Sequence, residues 1–128
     1  MKPLEITSSM RTIGGVFYPK GYAFVMFPTA EDAQQVAAQN FPEAMLLTPR
    51  QVLLDVGQVK DDSDVELPAV GTEGATVRKF TDLARKGHHA VMVKIDSDEE
   101  AERLMVAARS ASFSYGQRYH LLAMEDLE

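Results

Sequence analysis

Phe24-Val25-Met26-Phe27-Pro28-Thr29-Ala30-Glu31-Asp32-Ala33 reads as a strand running straight into a helix. The strand is apolar, Thr29 is a good N-cap, and Asp32 stands at the third helical position, where a carboxylate favours a helix start. Sixty-eight residues later, Met92-Val93-Lys94-Ile95-Asp96-Ser97-Asp98-Glu99-Glu100-Ala101 repeats the pattern, with Ser97 as cap and Glu100 at the third position. The recurrence predicts an internal duplication in which each strand-to-helix unit leads into a further strand.

Before the first copy, Arg11 to Tyr18 and Tyr22 to Phe27 flank Pro19-Lys20-Gly21, a hairpin signal. The second of these strands alternates, with Ala23, Val25 and Phe27 on one side and Tyr22, Phe24 and Met26 on the other. A helix from Thr29 to about Asn40 carries the stripe Ala33, Val36 and Ala37, and a short strand spans Ala44 to Leu47. Thr48-Pro49-Arg50-Gln51 then supplies an N-cap, a proline at the first position and a capping-box glutamine for a helix to Val56. A helix over Thr76 to Lys86 carries Val77, Phe80, Leu83 and Ala84, and Gly87 closes it. Strand His88 to Ile95, a helix bearing Ala101, Leu104, Met105 and Ala108, and a last strand over Gln117 to Met124 complete the reading.

Two βαβ units in 128 residues predict an α+β chain: a ferredoxin-like two-layer sandwich with an added N-terminal hairpin strand. The expectation is a single domain over 1–128. Its pseudo-repeats, about 12–57 and 75–128, are joined by an acidic Pro/Gly linker at 58–74 that should be mobile. The repeated strands should be antiparallel neighbours at the centre of the sheet.

Cysteine is absent, which excludes disulfides and thiolate metal sites. The first ten residues lack a leader's apolar core, and no apolar run approaches the roughly 20 residues of a membrane span. The expectation is therefore a cytoplasmic, bacterial protein. Net charge is −6, all of it in residues 61–128, where 14 acidic side chains oppose eight basic ones. That balance disfavours generic nucleic-acid binding, because phosphate affinity rests on Lys and Arg.

Lys20-Gly21-Tyr22-Ala23-Phe24-Val25-Met26-Phe27 nevertheless matches the octamer of RNA-recognition domains position for position. That resemblance implies single-stranded RNA contacts from Lys20 to phosphate and from Tyr22 and Phe24 to bases. The match fails upstream, where 19 residues cannot hold the strand, helix and strand such a domain requires. A second resemblance covers more of the chain. The repeated cap-and-acid helix start, Tyr18-Pro19-Lys20-Gly21-Tyr22 and Leu47-Thr48-Pro49 resemble small bacterial general-stress and uncharacterised ferredoxin-like proteins. It implies a fold and brings no catalytic residues with it.

No catalytic constellation is legible. His88 and His89 point to opposite faces of a strand and His120 is remote, so no metal or cofactor is expected. Ser110, Ser112 and Ser114 have no base at a readable spacing. The acidic run Asp96 to Glu102 suits a helix start, and Arg85 and Lys86 suit a helix end. Gly71-Thr72-Glu73-Gly74 lacks the Gly-Lys-Ser/Thr ending of a phosphate loop.

One surface stands out. If Ala23, Val25, Phe27, Val91, Val93 and Ile95 lie under helices, the other sheet face presents Tyr22, Phe24, Met26, Ala90 and Met92. Strands apolar on both faces are expected to be covered on both. A non-enzymatic binding or regulatory protein follows, associating through Tyr22, Phe24, Met26 and Met92. A second copy in a homodimer is the expected cover, with the linker, the N-terminal segment or RNA as the other covers.

Overall fold

The computed structural model describes residues 17–39, 41, 43–57, 71–120 and 124–127. The chain is α+β. Among the described residues, β1 is Tyr22–Phe27, α1 Ala30–Ala37, β2 Met45–Leu47, α2 Pro49–Gln51 continuing as a π-helical turn over Val52–Val56, and α3 Gly71–Arg85. β3 is His89–Lys94, α4 Asp98–Ser110, β4 Tyr115–Tyr119 and β5 Met124–Asp126. The strands form one antiparallel sheet in the order β2-β3-β1-β4-β5.

The duplicated strands are central antiparallel neighbours, with Phe24 opposite Met92, Val25 opposite Val91 and Met26 opposite Ala90. Both helix starts are built from the residues that the repeat singles out. Thr29 Oγ1 accepts from the Asp32 amide at 3.2 Å, and Ser97 Oγ accepts from the Glu100 amide at 3.2 Å. Ahead of β1, the Tyr22 amide donates to the Pro19 carbonyl at 3.0 Å around Gly21, whose φ of +83° suits glycine in the third position of such a turn. Residues 11–16 of the expected hairpin strand lie outside the described residues.

α1 and α4 cover one face of the sheet, burying Ala23, Val25, Phe27, Val91 and Val93 with Ala33, Val36, Leu104 and Met105. Helices following β1 and β3 thus pack on one face of an antiparallel sheet, compatible with the two-layer arrangement the repeats lead one to expect. The second face is closed as well, and by the chain itself. Val52 and Val56 from the π-helical turn, and Val77, Phe80, Leu83 and Ala84 from α3, pack on Phe24, Met26, Ala90 and Met92. Phe80 meets Phe24 at a ring-centroid distance of 4.3 Å, and Phe17 meets Phe24 edge-on at 5.4 Å.

Three boundaries differ from expectation. α3 begins at Gly71, so 71–74 are its first residues rather than linker; the remainder of the expected linker, 58–70, lies outside the described residues. The capping box at Thr48 and Gln51 is present, but the helix widens after it: the Gly57 amide reaches back five residues to Val52. The single last strand is two, since the chain reverses after Tyr119 to pair Met124 with it. No glycine or proline marks that reversal, so sequence signals were silent there.

Candidate functional site

The expected interaction residues occupy different environments. Phe24, Met26 and Met92 have no exposed surface, Tyr22 is half-buried, and Lys20 is exposed on the turn. The face they define is therefore not open, because α3 fills it. The expectation of an association surface there is corrected: the apolar residues that seemed to require a second subunit are satisfied within one chain. Base stacking on Phe24, which the RNA reading needs, is likewise closed off in this conformation. Phe80 and Phe17 already pack against its ring, and it has no exposed surface.

Ionisable groups converge elsewhere, on the α4 side of the sheet beside the β4–β5 hairpin. Ser97 caps α4 and so sets Asp98 at its first position. Arg118 stands on β4 directly opposite the small Ala23. Its Nη1 donates to Asp98 Oδ1 at 2.8 Å; the arginine side chain is 14% exposed and the aspartate 96%. The pair thus joins a nearly buried guanidinium to a carboxylate that water surrounds. His120, at the end of β4, holds Glu125 of β5 at 3.1 Å, and its carbonyl accepts from Tyr18 Oη at 2.9 Å. Along α4, Arg109 and Glu102 lie 3.6 Å apart.

These groups surround two cavities. One, of about 470 Å³, has walls formed by Asp98, Glu102, Arg109, Arg118, His120 and Glu125, with Ala101, Met105 and Leu127 as its apolar surface. Leu127 lies against Gly116, where a Cβ would come within 3.1 Å of Leu127 Cδ1, so glycine there permits the close approach. The second, of about 360 Å³, is lined by Lys20, Gly21, Ile95, Arg118, Tyr119 and His120. Arg118 and His120 line both.

Among these residues the sequence reading names Lys20 as an RNA contact, His120 as a remote histidine, and Asp98 and Glu102 within an acidic helix start, without bringing them together. Arg118, His120 and Glu125 are separated from Asp98 and Lys20 by tens of residues and share no motif. Only the β1–β4 pairing and the unforeseen hairpin bring them together.

The other candidates resolve into structure. His88 Nδ1 lies 2.6 Å from Ser114 Oγ, a base-and-hydroxyl pair that spacing did not disclose. It joins the start of β3 to the residue before β4. Burial, and then the charge of Lys86, push the His88 pKa below its ordinary value, which favours the neutral ring. His89 Nδ1 instead approaches the Gly87 carbonyl. Lys79 sits over the Tyr115 ring, and Arg85 lies near Asp82. Among the described residues, no group of three His, Asp or Glu side chains could hold a metal ion, and no helix is long and apolar enough to cross a membrane.

Set beside known proteins, the chain matches no family model, no curated protein and no solved structure.

Proposed function

We propose that this chain is a non-enzymatic binding or regulatory protein that takes a small polar ligand in the crevice between α4 and the β4–β5 hairpin. Its framework reads as ferredoxin-like: the order β2-β3-β1-β4 suits two interlocked βαβ repeats, with α3 and the π-helical turn as added cover. The observation that carries the proposal is the contrast in lining. Both sheet faces are sealed with apolar side chains, whereas the 470 Å³ cavity is walled by six ionisable ones over a small apolar floor. A concave site with convergent polar groups is where a ligand gains orientation as well as burial.

A thermal-shift screen of small charged metabolites, with amide shifts mapped by NMR, tests this. Binders should perturb Ala101, Met105, Arg118 and Glu125, and Ala101→Phe should abolish binding by filling the crevice. A screen whose binders all map elsewhere, or that yields none, removes the reading.

Single-stranded RNA is the alternative, through Lys20, Tyr22 and Phe24. Lys20 is accessible to phosphate, but the stacking contribution of roughly 1–3 kcal/mol per base would require α3 to leave Phe24. A homodimer, if formed, would use a surface other than the covered face; sedimentation velocity reports whether it forms.

A further inference from the structure

The geometry points to an anion subsite in the cavity lined by Lys20, Arg118 and His120, fitted to the phosphate group of a small phosphorylated molecule. This deepens the binding reading above, because Arg118 and His120 line both cavities.

Four observations converge on it. The chain carries a net charge of −6, yet no carboxylate lines this cavity among the described residues, while Lys20, Arg118 and His120 do. The acidic partners of two of these, Asp98 and Glu125, line the neighbouring cavity instead. Arg118 meets Asp98 through Nη1 alone among the described residues. A guanidinium has five donors in a planar fork, so the others remain to meet an acceptor, and a phosphate matches that fork with two oxygens. Finally, the backbone at the cavity is committed to the sheet. The Gly21 amide donates to the Tyr119 carbonyl at 2.8 Å, and the Ile95 amide to the Gly21 carbonyl at 2.8 Å. Recognition must therefore come from side-chain charge on a rigid frame, with Lys20 as a mobile point charge on the turn and Arg118 as the fixed fork.

The volume argues for a small ligand. About 360 Å³ lies near the lower end of ligand cavities, which run from about 300 Å³ upward. A phosphate seated here would leave its organic substituent to extend past Arg118 into the 470 Å³ crevice, whose walls carry both signs of charge. A nucleic-acid backbone is the less favoured occupant, since the chain's net charge of −6 repels a polyanion and Phe24 offers it no stacking face.

Titration of the ¹⁵N-labelled chain with inorganic phosphate at low ionic strength tests the subsite, with chloride at matched ionic strength as control. Saturable shifts should centre on Gly21, Ile95, Arg118 and His120. Lys20→Gln, at an exposed turn position, and Arg118→Gln should each weaken binding about tenfold, as expected for loss of a hydrogen bond to a charged group. Shifts that do not saturate, that chloride reproduces, or that Lys20→Gln leaves unchanged would overturn the subsite. Metabolite binders in the larger crevice without any phosphate response would overturn it while sparing the binding reading. Phosphate saturation without any metabolite binder would support the subsite and remove the crevice reading. A single-stranded hexaribonucleotide that binds in a Lys20-dependent way, where phosphate does not, would transfer the site to RNA.

Discussion

The two faces of the sheet are equally apolar and are covered in different ways. On one, α1 and α4 are the helices of the repeated units, each joined to its own strand by a short capped connection. On the other, α2 with its π-helical turn and α3 stand outside the two βαβ units; they lie between β2 and β3. Yet Phe24, Met26 and Met92 are as fully buried as Val25, Phe27 and Val91. Apolarity on both sides of a strand thus predicts cover without saying who provides it. The non-repeated segment between the two units is the piece that makes a second subunit unnecessary on this face.

A carboxylate placed on either face should be the severest test of that equivalence. Phe24→Asp buries an unpaired charge between Phe17 and Phe80 and should cost about 4 kcal/mol or more, enough to unfold a marginal domain. Val25→Asp should do the same on the α1/α4 face. Circular dichroism with urea titration reads both, and a folded Phe24→Asp protein beside an unfolded Val25→Asp one would show that the α3 cover is dispensable.

Truncations grade the comparison more finely. Phe80→Ala, from α3, should cost about 3–5 kcal/mol, and Leu104→Ala, from α4, about 2–5 kcal/mol. If Phe80→Ala cost less than about 1 kcal/mol in the same denaturation assay, α3 would not share the cooperative core.

The ends of the covering helices offer a smaller contrast with opposite signs. After α3, Gly87 has φ of +91°; its amide reaches the Ala84 carbonyl and the His88 amide reaches Leu83, a left-handed cap that glycine suits. After α4 the same bonding recurs, Ser112 to Arg109 and Phe113 to Ala108, but the left-handed residue is Ser112 with φ of +56°. Gly87→Ala should therefore destabilise by about 1 kcal/mol and Ser112→Gly should stabilise by up to about 1 kcal/mol, both measured by thermal melting.

The smallest expected effect involves His88, which ties the start of β3 to the residue before β4 through Ser114. Its folded pKa is lowered, so the unfolded chain binds its proton more readily. Stability from this group is present above the ordinary value of 6.5 and is lost as pH falls through it towards the folded value. Urea midpoints measured from pH 7.5 to 5.5 should show this loss, and His88→Gln should remove that part of it. A midpoint drop of the same size in His88→Gln would assign the effect to other groups.

Sequence alone settled the elements that local chemistry governs. Alternation marked β1 and β3, and the Thr29, Thr48 and Ser97 caps placed three helix starts because a hydroxyl three residues from its target amide is a local bond. The duplicated pattern then made the two strands partners, and Gly87 ended α3. Tertiary structure alone decided what depends on distant parts meeting. It placed α3 over Phe24, since an apolar stripe specifies burial but not a partner. It turned the last strand into a hairpin where no turn residue signalled it. It also assembled Lys20, Asp98, Arg118, His120 and Glu125 around two cavities, for side chains so far apart in the chain have no shared periodicity to read, only the strand register that brings them together.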